Sequence, residues 1–111
     1  MLLEKEVVLF LRSSVGALMT AYVIGTDSTK NVRTMCEKNT EVDIDTYERM
    51  HVLYNAVKKL QPFDSDETIQ AFLMGMNPVL GDRAPVVVIR EEKPSDALRL
   101  INYAVTDFIH N

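Results

Sequence analysis

The sequence predicts an all-α protein, a compact bundle of about six to seven short helices, and three observations carry that expectation. Apolar residues recur at steps of three and four through most of the chain. Capping residues, glycines and prolines punctuate it at helix-length intervals. Its one β-branched run, Val86-Val87-Val88-Ile89, has no second strand to pair with. With 111 residues there is room for one domain, or for two small halves sharing one core. The division falls after Leu60, giving halves 1–60 and 61–111.

Each element follows from its pattern. Over Leu2–Leu11, helical spacing aligns Leu3, Val7, Phe10 and Leu11, and Ser13-Ser14 offers a break. From Val15 to Ile24 the expected apolar stripe is Leu18, Met19, Tyr22 and Val23, and Gly25 supplies a left-handed terminator. Asp27 and Ser28 are N-cap candidates for a helix from Thr29 to about Glu37. A polar connection over residues 39–45 leads to the clearest helix, capped by Asp43 or Asp45. Its stripe is Tyr47, Met50, Leu53, Tyr54, Val57 and Leu60, and Pro62 stops it. Asp64 and Glu67 read as a capping box for a helix burying Ile69, Phe72, Leu73 and Met76. Residues 78–90 are ambiguous between strand and helix. Pro85 suits the first turn of a short helix, and an isolated strand would be unpaired, so helix is expected. The last helix opens near Pro94-Ser95-Asp96 and is expected to bury Ala97, Leu98, Ile101, Ala104, Val105 and Phe108.

Composition narrows the function classes. A single cysteine, Cys36, excludes an internal disulfide and a multi-cysteine zinc site. The net charge of −4 argues against indiscriminate nucleic-acid binding by the whole surface, though not against a local basic patch. The greasiest run, Val7 to Leu11, is cut by Arg12, far short of the roughly 20 residues a bilayer span needs. Glu4 and Glu6 spoil the basic start of a signal peptide, so a cytoplasmic protein without membrane contact is expected. The carboxylate pairs Asp43/Asp45, Asp64/Asp66 and Glu91/Glu92 sit in caps or turns. His51 and His110 lack a second histidine at metal-ligand spacing. With neither a phosphate-binding glycine loop nor a nucleophile elbow, no enzyme activity, metal or cofactor is expected.

A helix–turn–helix is the strongest binding motif. Between Val15 and Lys38, two short helices join through Gly25-Thr26-Asp27, and the second offers Thr29, Lys30, Asn31, Arg33 and Thr34. Arg33 is chemically suited to guanine, Asn31 to adenine, and Thr29 to a phosphate. The alternative is a polar helical face in water. The nearby acids Glu41, Asp43 and Asp45 would repel phosphate if they faced the same way. Six methionines, Met74 and Met76 among them, serve either a core or an adaptable surface.

The segment Ala71-Phe72-Leu73-Met74-Gly75-Met76-Asn77-Pro78-Val79-Leu80-Gly81-Asp82-Arg83-Ala84-Pro85, with the apolar Val88-Ile89 and the closing helix, resembles the C-terminal domain of the Xre/MbcA/ParS-type antitoxins. The upstream half resembles the degenerate Xre-type helix–turn–helix of related proteins. Where that family carries tryptophans, this chain has Met35, and Phe72 or Leu73. The resemblance implies a C-terminal half that covers a cognate toxin, in that family often of RES type, and an N-terminal half that binds operator DNA; reading two half-sites with a helix–turn–helix would make the chain a homo-oligomer. It points to Asn77, Asp82, Arg83, Arg90, His110 and Asn111 as partner contacts. Turn chemistry is the alternative reading of Asn77-Pro78 and Gly81-Asp82.

Overall fold

The computed structural model describes residues 1–111. In it the chain forms seven α-helices, with one pair of two-residue strands as the only sheet. Strand β1 (Leu2–Leu3) precedes α1 (Lys5–Val15), α2 (Ala17–Ile24) and α3 (Thr29–Glu37). Strand β2 (Thr40–Glu41) then leads to α4 (Ile44–Leu60) and α5 (Asp66–Met74). A 3-10 turn (Pro78–Leu80), α6 (Pro85–Glu91) and α7 (Pro94–His110) complete the chain. The two strands pair antiparallel, Leu2 opposite Glu41 and Leu3 opposite Thr40. The polar connection expected over residues 39–45 therefore contains a strand, and the first helix begins only at Lys5.

Helix boundaries follow backbone chemistry more closely than composition. The serine pair does not break α1. Ser14 is buried, and its hydroxyl donates to the Phe10 carbonyl at 2.8 Å, a bond that lets the helix run on. The break comes at Gly16, whose φ of 94° is a conformation that side-chain-bearing residues rarely adopt. Buried Thr20 donates both its N–H and its hydroxyl to the Gly16 carbonyl, and Gln70 from α5 donates to that of Ser14. Gly25 ends α2 in the left-handed region as expected, with Thr26 N–H reaching back to the Ala21 carbonyl. Ser28 occupies the N-cap of α3 without a side-chain cap bond. Thr26 Oγ1 instead accepts from the Ser28 N–H and from the Asn31 amide.

Asp43 caps α4 by accepting the Thr46 N–H at 2.7 Å. That bond and the Thr46 hydroxyl hold its carboxyl below the usual aspartate range, with lesser help from Arg49 and the N-terminal amine. For α5 the cap is Ser65, accepting from the Thr68 N–H, and not the Asp64/Glu67 box. Pro85 opens α6 as its first residue.

One core cluster runs through both halves of the chain. It joins Leu3, Val8, Leu11 and Val32 to Met50, Leu53, Leu60, Ile69, Leu73, Ile89 and Ile101, all within 2 % of full burial. The two longest helices, α4 and α7, pack extensively on each other, while α6 lies against α7, α2, α4 and α5. Phe72 meets Phe108 at 4.6 Å between ring centroids, and Phe10 meets Tyr54 edge-on at 5.1 Å.

Three residues assigned to buried stripes lie at the surface instead. Leu18 is 79 % exposed, Met76 81 % and Leu98 42 %. Helix α2 (ALMTAYVI) is apolar nearly all round, so periodicity could not tell its inner face from its outer one. Met76 lies beyond the end of α5, and Leu98 points outward from α7 while Ala97 and Ile101 point in.

Candidate nucleic-acid and partner-binding surfaces

Helices α2 and α3 pack on each other around the Gly25 turn. Val32 and Met35 anchor α3 in the core, and Thr29, Lys30, Asn31, Arg33 and Thr34 are all exposed. The five sequence-predicted contacts therefore share the solvent side of one helix. They are not equally free. The Asn31 amide donates to Thr26 Oγ1 at 2.9 Å, and the Thr34 hydroxyl donates to the Lys30 carbonyl. Lys30 and Arg33 enter no ion pair.

The two flanks of α3 differ in charge. On one side Asn31, Thr34 and Lys38 line a cleft of about 420 Å³ together with Thr40, Asp43 and Thr46. Asp43 thus does face this side of the helix, as the sequence left open. On the other flank Arg12 of α1 reaches Cys36. In the sequence Arg12 is marked only as the residue that ends the apolar run Val7 to Leu11. Its position beside α3 comes from α1–α3 packing, for which the local pattern carries no signal.

Burial pushes the Cys36 thiol up, against the opposing pull of the Arg12 cation. Cys36 is expected to alkylate more slowly than free cysteine with iodoacetamide near pH 8. In Arg12→Ala it should react more slowly still, because the cation favouring thiolate is gone. A faster reaction in that variant would show that Arg12 shields the thiol and does not activate it.

The predicted partner contacts of the C-terminal half are dispersed. Asn77 Oδ1 accepts the Val79 N–H, and the Asn77 carbonyl accepts from Leu80 and Asp82. Arg83 pairs with Glu92 at 2.7 Å, and its Nε donates to the Leu80 carbonyl. These bonds close residues 77–83 on themselves. Gly81 and Asp82 both take left-handed backbone, with φ of 68° and 66°. Asp82 is exposed, and Arg90 lies over the Tyr22 ring with its guanidinium carbon 4.3 Å from the centroid. His110 and Asn111 are exposed at the far end of α7, where Asn111 bonds back to Asp107.

The Arg83–Glu92 pair bridges the loop and the C-cap of α6. Arg83→Ala is therefore expected to destabilise the fold by about 1 kcal/mol, a value near the top of the range for partly exposed pairs because a carbonyl bond is lost too. A double-mutant cycle with Glu92→Ala in urea should return most of that as coupling energy. Additive effects of the two substitutions would show that the pair contributes no coupling.

His51 has a neighbour that sequence spacing could not show. Its Nε2 lies 3.5 Å from Glu4 Oε2 without a hydrogen-bond partner, and its ring stacks on Tyr47 at 4.4 Å. Burial and the Glu4 carboxylate raise the Tyr47 phenol above its usual range. This group ties α4 to the start of α1. No cluster of three or more His, Cys, Asp or Glu residues is placed to hold a metal ion. No helix is long and apolar enough to cross a membrane.

Comparison of the chain with protein-family models, with characterised proteins and with solved structures gives no match.

Proposed function

We propose that this chain is a non-catalytic, antitoxin-like binding protein with two working surfaces. The outer face of α3 binds operator DNA, and the C-terminal half binds a partner toxin. The observation that carries the reading is the division of labour in α3. Val32 and Met35 are buried, while every chemically suitable DNA contact is exposed on the second helix of a glycine-turned pair. Lys30 and Arg33 are free of internal ion pairs, and Arg12 adds a cation on the flank away from Asp43.

For the toxin-binding half, support comes from the Ala71–Pro85 segment that resembles the antitoxin domain and from the exposed methionines Met74 and Met76 within it. The closed hydrogen-bond circuit of residues 77–83 makes this loop a rigid presenting element, with Asp82 its free charge.

The test is affinity capture of the tagged chain from its native host, with mass spectrometry and sequencing of bound DNA. One stoichiometric small protein, toxic alone and harmless when co-expressed with this chain, is the expected result. Recovery of specific DNA with no such protein would replace the antitoxin reading with that of a stand-alone regulator.

A further inference from the structure

Helix α7 buries one side only. Ala97, Ile101, Ala104 and Val105 point into the core, and the helix packs there on α4 and α6. Its outer side carries Asp96, Arg99, Tyr103, Asp107 and His110, at steps of three and four that keep to one stripe of the helix. Tyr103, 66 % exposed, stands in the middle of that stripe. The charges around it are loosely held. Arg99 reaches Asp96 only at 3.8 Å, and Asp107 forms no ion pair, although its Oδ1 accepts the Asn111 amide at 2.9 Å. Their order reverses sign about Tyr103. Four residues before it stands a cation, Arg99, and four after it an anion, Asp107; seven before it stands the acid Asp96, and seven after it the base His110.

We propose that this face joins two copies of the chain, with their α7 helices antiparallel and a two-fold axis at Tyr103. Each residue then lies opposite the one equally far on the other side of Tyr103. Arg99 of each copy meets Asp107 of the other, Asp96 meets His110, and the two helix dipoles oppose. The occupant is a second copy because the pattern complements itself in this register and not in its neighbours. Moving the axis one turn sets Asp96 against Tyr103 in one direction and Tyr103 against His110 in the other, and Arg99 loses Asp107 in both. A parallel pair in register sets every charge against its own kind. One helix a side makes a small contact, so the dimer is weak on its own and is reinforced when both copies hold DNA half-sites. The contact does not use α3, and it stands or falls apart from the operator and toxin readings. It assigns His110, a partner contact under the antitoxin resemblance, to self-association instead.

Sedimentation equilibrium of the full chain, from about 10 μM to about 1 mM at low salt, reads the association. The weight-average mass should climb from 12.6 kDa toward twice that value, and climb less in high salt. Arg99→Asp and Asp107→Arg each turn both symmetry-related pairs repulsive, so each alone should weaken association by about tenfold or more. Mixed in equal amounts, the two variants should associate with each other about as well as the parent does with itself, because every opposed pair again has opposite signs. Both positions are exposed, so the urea midpoints should stay at the parent's value, which separates loss of pairing from loss of fold. A mass of 12.6 kDa at every concentration overturns the inference. Association that either variant leaves intact overturns it too, and places the contact on another surface. So does a mixture that associates no better than its components, since the charges would then act without this register.

Discussion

Leu53→Ala should destabilise the protein by about 2–5 kcal/mol, whereas Leu18→Ala should stay within about 0.5 kcal/mol of the parent. The two substitutions delete the same atoms. Leu53 is fully buried in α4, so truncation removes its transfer energy and leaves a cavity that its neighbours only partly collapse. Leu18 is already 79 % in water, so little is lost. Against a typical total of about 5–15 kcal/mol for a domain, the first change is severe. Urea unfolding reads both, with midpoints shifting at constant slope. Since the core cluster joins residues from Leu3 to Val105, unfolding should be one transition by every probe. Two separated transitions would mean that the halves do not share a core. A comparable loss for Leu18→Ala would mean that α2 is rotated about its axis.

That contrast also marks where the sequence was legible. In α4, polar and apolar residues alternate at steps of three and four, and Met50, Leu53, Val57 and Leu60 are buried as the pattern requires. Helix α6 was legible by a different route. Its valines favour a strand locally, but Pro85 pre-sets the first turn, and burial of Val86, Val88 and Ile89 outweighs their modest propensity cost. Helix α2 was not legible in its orientation, because an element apolar on all sides carries no phase. The strand pair was hidden for another reason. Two residues have no period, and α1, α2 and α3 separate Leu2 from Glu41 along the chain.

The candidate contacts divide along the same line. Exposure of Thr29, Lys30 and Arg33 follows from the local periodicity that buries Val32 and Met35. The engagement of Arg83 with Glu92, the meeting of Arg90 with Tyr22, and the approach of Arg12 to Cys36 are products of the folded chain. Of these, Arg90 on Tyr22 joins residues on α6 and α2, from opposite halves of the chain. A motif read within either half could not contain it.

Arg33→Ala is expected to lower affinity for a duplex selected by this protein from a random library by about 5–150-fold, with selectivity relaxed at one base position. The range corresponds to the roughly 1–3 kcal/mol of a good bidentate contact to a base edge. Lys30→Ala should instead weaken all sequences alike and reduce the slope of log affinity against log salt by about one, as for a released counterion. Asp43→Asn probes the opposite sign. Asparagine caps a helix about as well as aspartate, so the start of α4 is retained. The substitution removes the one negative charge lining the cleft that Asn31, Thr34 and Lys38 share. Because its cap bonds hold the Asp43 carboxyl below the usual range, it stays ionised through neutral and mildly acidic pH. Its repulsion of phosphate is therefore present across that whole window and fades only in stronger acid. Tighter DNA binding by Asp43→Asn, with no change in the selected sequence, would fix the phosphate path along the Asn31 flank. Unchanged binding by Asp43→Asn, together with the expected loss in Arg33→Ala, would put the path on the Arg12 side. If neither Arg33→Ala nor Lys30→Ala alters binding, or if no sequence is selected, the outer face of α3 is not a nucleic-acid surface.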